Sequence, residues 1–386
     1  MAADATTALR TDPLPLAQAL MRCASVTPVD AGALGVLEAA LKPLGFTCRR
    51  MPFGDVDNLF AMRGSGAPHL MFAGHTDVVP IGDAAAWTAD PFGATVRDGM
   101  LIGRGAVDMK TEIAAFVAAV EATMPARGTI SLLITGDEEG ASINGTIKVI
   151  EQLAREGVKF DHCLVGEPSS DKAFADMIKN GRRGSLNGVV TVEGVQGHVA
   201  YPSKTLNPVP ILMDLLNRLR ARKLDDGAPG FDPSNLEVTT IDVGNPAHNV
   251  VAARAVAKFN IRFNSAHTGD ALLAWIESER VAIQTAHPRA KVEIAARASG
   301  EPFYCEPGAF TDLLQASCES VTGRKPVLST SGGTSDGRFI QAYCPVAELG
   351  LLNDMAHKVD ESASIDDIRA LAAIYAKVIE GYFAKF

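Results

Sequence analysis

Five apolar, strand-like stretches of this sequence each run into residues of the types that bind metals. The run His69-Leu70-Met71-Phe72-Ala73-Gly74 ends in His75-Thr76-Asp77. The glycine-hinged stretch Gly103-Arg104-Gly105-Ala106-Val107 delivers Asp108 just before a helix-like run that starts at Thr111. Residues 130–134 lead into Asp137-Glu138-Glu139, Cys163-Leu164-Val165 leads into Glu167, and residues 346–352 lead into a loop carrying His357. Taken singly, each has an ordinary explanation. An acid at a helix start caps free N–H groups, and an acidic pair in a loop is often a solvated turn. Together they point elsewhere, because adjacent carboxylates such as Glu138 and Glu139 repel unless a cation sits close. Loops at the carboxyl ends of strands in an open α/β sheet also converge on one crevice.

Histidine and carboxylate donors without cysteine suit zinc, with cobalt or manganese as substitutes, in a hydrolytic site. Asp108 is expected to bridge two such ions, which in co-catalytic sites lie about 3.5–4 Å apart. With His75 and His357 as neutral ligands, the carboxylates of Asp108, Glu139 and Glu167 leave a pair of divalent ions one positive charge in excess. A hydroxide, the nucleophile that hydrolysis needs, would balance it. Glu138 is then free to act as general base, and Asp77 is free to fix the tautomer of His75.

To bring these loops together the chain must alternate strand and helix. Strands are expected over 58–63, 70–73 and 161–165, with helices from the Asp108 loop to about Met124 and over 143–155. That alternation implies a mostly parallel sheet with helices on both faces, the α/β class. The pattern changes near Gly181-Arg182-Arg183-Gly184. Strand 189–195, helix 209–219, strands 236–243 and 255–263, helix 270–286 and strand 291–296 follow, the β-α-β-β-α-β order of a ferredoxin-like α+β unit. The expected organisation is a discontinuous catalytic domain, 1–183 and 299–386, interrupted by an inserted domain, 184–298, with Ser299-Gly300 as the return hinge. The closing helix carries Ile365, Ile368, Leu371, Tyr375, Val378 and Tyr382 on one face.

Bulk properties narrow the function classes. A chain of 386 residues favours two domains over one. A formal net charge of −9 argues against nucleic acid and anionic membranes as partners. The six cysteines are scattered, which fits reduced thiols in a cytoplasmic protein. The start, Met1-Ala2-Ala3-Asp4-Ala5, lacks a basic segment followed by an apolar one. No apolar run approaches the roughly 18 residues of a membrane helix, so a cytoplasmic location is expected. No H-E-x-x-H, phosphate-binding G-x-x-x-x-G-K-[ST] or G-x-S-x-G motif occurs. Ser331-Gly332-Gly333-Thr334-Ser335-Asp336-Gly337 is spaced wrongly for a dinucleotide loop and reads as a cradle whose N–H groups hold a substrate carboxylate.

Gly74-His75-Thr76-Asp77-Val78-Val79-Pro80, residues 103–110, Asp137-Glu138-Glu139-Gly140, Gly166-Glu167-Pro168 and Gly197-His198-Val199-Ala200 together resemble the co-catalytic zinc aminoacylase and carboxypeptidase family, over essentially the whole chain. The resemblance implies two Zn2+ ions, one held by His75, Asp108 and Glu167, the other by Asp108, Glu139 and His357. It makes Glu138 the general base, Asp77 a partner behind the metal, and the Asp108-Met109 peptide cis. It implies a homodimer formed by the inserted domain, with His198 reaching the partner subunit's site to stabilise the tetrahedral oxyanion. Arg182, Ser185, Asn249, Arg262, Gly333 and Thr334 match positions that bind the carboxylates and backbone of a small, acidic N-acyl amino acid. Residues 179–185 and 330–339 narrow the expected reaction to cleavage of N-succinyl-LL-2,6-diaminopimelate, while 351–356 depart from the expected wording. Another N-acyl-amino-acid hydrolase is the first alternative, and a non-catalytic metal-binding relative the second. A substrate with three carboxylates on a net-negative protein requires a locally basic pocket, which Arg182 and Arg262 would supply through paired N–H donors.

Overall fold

A computed structural model describes residues 12–386. The start Met1-Ala2-Ala3-Asp4-Ala5, on which part of the expected cytoplasmic location rests, lies outside the described residues. The chain divides into two compact units. One comprises the chain up to Asn180 with 305–329 and 335–386; the other comprises 181–304 and 330–334.

The first unit is built on an eight-stranded, mostly parallel sheet. His69–His75 lies between Gly128–Thr135 and His162–Val165, parallel to both, and Val346–Glu348 runs parallel beyond His162–Val165. Thr47–Arg50 and Leu59–Ser65 add antiparallel strands at one side. Every residue of His69–His75 is buried, and every residue of Gly128–Thr135 after the first. Continuous apolar runs of this kind are what strands covered on both faces require. Because these strands are parallel, their carboxyl ends emerge on one side of the sheet. The loops after His75, Thr135, Val165 and Glu348 therefore leave from that same side.

The helix Lys110–Thr123 packs against the closing helix Ile365–Lys385, whose six expected core positions are all buried. Ser364 accepts from the Asp367 N–H at 3.2 Å and caps that helix. Phe72 of the central strand stacks on Phe116 with centroids 4.2 Å apart, and Tyr375 meets both rings edge-on at 5.9 and 5.7 Å. This aromatic cluster locks sheet and helices together; truncating Phe72 to alanine would cost about 3–5 kcal/mol.

The second unit is a four-stranded antiparallel sheet in the order Asn235–Asp242, Arg254–Phe263, Gly184–Glu193, Lys291–Gly300, with helices Pro208–Ala221 and Gly269–Ala286. Along Arg254–Phe263 every second residue is buried, giving the sheet one covered face. Asn207 and Thr268 cap the two helices through the N–H groups of Val209 and Ala271.

Two details differ from the sequence reading. Ser299-Gly300 is not a hinge: the last strand continues to Gly300, because Ser185 pairs with Gly300 and prolongs the ladder. The division between units falls after Asn180 and after Tyr304, because Gly181–Arg182 pairs with Phe303–Tyr304. Residues 330–334 belong to the same unit; there Thr330 donates to the Gly230 carbonyl at 2.8 Å, and Arg182 Nη1 donates to the Ser331 carbonyl at 3.2 Å. Among the described residues no helix is long and apolar enough to cross a membrane.

Candidate metal centre

His75 is the last residue of its strand and is almost fully buried. Its Nδ1 donates to the Asp77 carbonyl oxygen at 2.9 Å, which leaves Nε2 as the free donor atom. Nε2 lies 3.0 Å from Asp108 Oδ1 and 3.8 Å from Glu167 Oε1. The other Asp108 oxygen, Oδ2, faces His357 Nε2 at 3.2 Å, and the same nitrogen is 2.8 Å from Glu139 Oε1. Each oxygen of Asp108 thus addresses a different imidazole. Close approach is needed elsewhere too: a Cβ on Gly350 would lie 2.3 Å from the Glu167 carbonyl oxygen. The Asp108-Met109 peptide is cis, as the resemblance implies.

Asp77 does something the sequence did not suggest. Its carboxylate is 3.5 Å from His75 Nδ1, farther than its own carbonyl, and instead accepts from the N–H groups of Glu138 and Glu139 at 3.3 and 3.0 Å. It therefore braces the acidic loop against the histidine strand. Asp137, next in that loop, accepts from Ile143 and Asn144 N–H at 2.8 and 2.9 Å and anchors its far end.

The electrostatics decide whether these residues fit metal ions. In each of two groups, His75-Glu138-Glu167 and His75-Asp108-Glu139, one donor atom per residue lies within 4.8 Å of the others. Burial disfavours a charged His75, yet its hydrogen bond to Asp108 and the charges of Asp108, Asp77 and Glu167 raise its pKa well above the usual range. Hydrogen bonds to Asp108 and Glu139 push His357 up to about 10. Burial, then the charge of Asp336, raises Glu138, and burial, then Asp108, raises Glu167. Burial lifts Asp77 to about 6. Asp108 alone is held low: burial opposes this, but hydrogen bonds from His357 and His75 prevail. Without cations, the cluster draws in protons to balance its carboxylates. Such a donor set fits divalent ions, which would displace those protons on binding. His357, half exposed, marks the side open to solvent.

The remaining expected site residues all belong to the second unit. Arg182 is buried and bound to the loop that also carries Gly333 and Thr334. Ser185 and Arg262 are cross-strand partners, and Asn260 Nδ2 donates to Ser185 Oγ at 3.2 Å. His198 is exposed and pairs with Val250; its Nδ1 accepts from the Ala200 N–H at 3.0 Å. Asn249 is exposed, and its carbonyl accepts from the Val199 N–H. Three residues of the first unit escaped the sequence reading: Arg104, Glu112 and Glu361, buried charged groups around the Asp108 loop. Arg104 and Glu361 carried no signal beyond nearness to Asp108 and His357 in sequence.

The model for the peptidase family M20/M25/M40 matches residues 71–381. A succinyl-diaminopimelate desuccinylase of Maricaulis maris is 58% identical over 378 residues, 97% of either chain. Another, of Caulobacter vibrioides, is 56% identical over 386 residues, 100% of either chain. Among solved structures, an M20 family metallo-carboxypeptidase from Sulfolobus solfataricus matches with a TM-score of 0.80 at 18% identity, over 97% of this chain and 100% of that one. A dinuclear metal binding peptidase of the M20 family from Bacillus subtilis matches with a TM-score of 0.70 at 14% identity, over 97% and 98%. The likeness to solved structures speaks for the fold, and the match to the family model spans most of the sequence. This chain belongs to the peptidase family M20/M25/M40.

Proposed function

We propose that this chain is a metal-dependent amide hydrolase that converts N-succinyl-LL-2,6-diaminopimelate to succinate and LL-2,6-diaminopimelate, a step toward lysine. The observation that carries the chemistry is Asp108, whose oxygens face His75 on one side and His357 on the other. The end-to-end likeness to desuccinylases of Maricaulis maris and Caulobacter vibrioides supports the substrate.

Two zinc ions, with cobalt or manganese as substitutes, would be held by His75, Asp108 and Glu167 and by Asp108, Glu139 and His357. Such ions, when bound, act as Lewis acids on the amide carbonyl and lower the pKa of water. The chain's own residues do the rest. Glu138, whose carboxyl is raised by burial and by Asp336, accepts a proton from the attacking water and returns it to the leaving nitrogen as the C–N bond breaks. Asp77 holds the backbone of that base and of Glu139 in place. Arg182, Ser185, Asn249, Arg262, Gly333 and Thr334 bind the substrate's carboxylates and backbone.

In the proposed homodimer the second unit provides the interface, and His198 donates to the oxyanion in the partner's site. Asn235–Asp242, one of the two edge strands of its sheet, supports this reading, since an edge strand leaves backbone groups unpaired. A cavity of about 430 Å³ beside it is lined by Met213, Leu216, Asn217, Val238 and Ile241. Met213 and Ile241 are 53% and 56% exposed. A cytoplasmic setting agrees with six free thiols.

Hydrolysis of a panel of N-acyl amino acids tests the substrate. The succinyl compound should far outrun N-acetylornithine and simple N-acetyl amino acids. Equal efficiency on the acetyl compounds would replace this reading with that of a broader deacylase.

A further inference from the structure

Arg104 and Glu361 are 2% and 0% exposed and form an ion pair at 2.7 Å. A buried pair is weak evidence for stability, because desolvation offsets most of the attraction. Its remaining hydrogen bonds are more informative. Glu361 Oε1 accepts from the backbone N–H groups of Val107 and Asp108 at 2.8 and 3.1 Å. The Glu361 carbonyl accepts from the Gly103 N–H at 2.8 Å, so the Asp108 loop hangs on this residue at both ends. On the other side, Arg104 Nη1 donates to the Lys358 carbonyl at 3.2 Å, and Nη2 donates to the carbonyls of Pro80 and His357 at 3.1 and 3.5 Å. The guanidinium also sits over the Trp87 ring, 5.3 Å from its centroid.

Three loops meet here: the one that follows His75, the one that holds Asp108 and the one that holds His357. His357 has a left-handed backbone, φ 64°, which a residue with a Cβ adopts only when its surroundings hold it there. Arg104 binds the carbonyl of that very residue. The fork geometry matters, since a guanidinium reaches several acceptors in fixed directions and an ammonium does not.

We propose that Arg104 and Glu361 form a positioning clasp for the metal centre, setting the backbone of His357 and Asp108 so that both face the same ion. The proposal rests on the metal-site reading above. The clasp touches no substrate and supplies no ligand. Through Asp108 it bears on both proposed ions, and through the His357 carbonyl on one of them alone; none of its hydrogen bonds reaches Glu167.

Calorimetric titration of the chelator-stripped protein with Zn2+ alone tests this, beside thermal unfolding and circular dichroism. In Arg104→Lys, which keeps the charge, one of the two binding steps should weaken by about 10- to 100-fold, as for other residues that orient ligands. The other step shares Asp108 and should weaken too, but by at least severalfold less. In a His357→Ala background, where that site is already crippled, Arg104→Lys should add only the smaller loss transmitted through Asp108. Turnover of Arg104→Lys should recover as zinc is raised. Glu361→Gln should give the same split and carries the test if Arg104→Lys does not fold. Equal weakening of both steps, a full additional loss in the His357→Ala background, or unchanged zinc binding with a lowered melting temperature would overturn the clasp. Because no substrate is present, a failed substrate panel with an intact zinc split would remove the assigned reaction and leave the clasp standing.

Discussion

The carboxylates around Asp108 and the guanidinium of Arg262 meet burial with opposite charge and in different company. In the first unit, acids and imidazoles crowd together, and the group answers by drawing in protons: Glu138 and Glu167 are pushed up by burial and His357 by its acidic neighbours. In the second, Arg262 is pushed down, by burial and then by the charge of Arg183. Among the described residues, no ion pair joins Arg262 to an acid. An excess of buried negative charge calls for cations, and an excess of positive charge calls for anions. In the proposed reading, the first unit would supply groups that bind metal and the second would supply groups that bind the substrate's carboxylates.

Breaking each half should fail differently. The largest effect belongs to the base. Glu138→Gln should keep its metal content and lose about 10²- to 10⁴-fold in kcat. Metal analysis beside kinetics checks this, and near-normal turnover would remove Glu138 from its role. Next comes the anion side. Arg262→Ala should bind zinc normally but lose about 2–4 kcal/mol in kcat/KM on the succinyl substrate, as truncated charge pairs do. An equal loss on acetyl compounds would mean that Arg262 does not read the distal carboxylate.

A third test asks whether the halves come from different chains. Mixing inactive Glu138→Gln with inactive His198→Ala should restore about a quarter of wild-type activity after subunit exchange, since half the dimers then hold one intact composite site. If exchange is verified and nothing returns, His198 does not act across the dimer.

The smallest effect concerns Glu112, a fully buried acid beside the metal centre. Leu351 N–H donates to its Oε1 at 3.3 Å. Thr111 Oγ1 lies 2.9 Å from its Oε2 and 2.8 Å from the Ala106 carbonyl. Burial raises the pKa of Glu112 well above the ordinary 4.5. A raised acid contributes stability that is fully present below 4.5 and lost as pH climbs toward the folded-state pKa. Over that window wild type should lose about 1.4 kcal/mol per pH unit relative to Glu112→Gln. Denaturant unfolding at several pH values reads the difference, and parallel curves would show that Glu112 ionises freely in the fold.

How much of this was legible in the sequence follows from the same contrast. Metal chemistry restricts residue type, so His75, Asp108, Glu139, Glu167 and His357 stood out at the ends of strand-like runs. Periodicity exposed the closing helix and the β-α-β-β-α-β order. The proposed recognition residues, such as Ser185 and Asn249, are ordinary in type and surfaced only through a resemblance. Arg104 and Glu361 stayed hidden because their meaning lies in a contact spanning 257 positions. Asp77 was placed behind His75, but its carboxylate turned out to serve the next loop, a choice that depends on three-dimensional turn geometry. The hinge expected at Ser299-Gly300 failed because a Ser-Gly pair in sequence does not reveal a partner strand able to extend the ladder.

The central claim is that Asp108 joins two metal ions. Anomalous diffraction from zinc-loaded crystals measures this directly. Two peaks about 3.5–4 Å apart, one beside each oxygen of Asp108, with His75 and Glu167 at the first and His357 and Glu139 at the second, are the predicted result. A single peak in fully active protein, or two peaks without Asp108 between them, would contradict it.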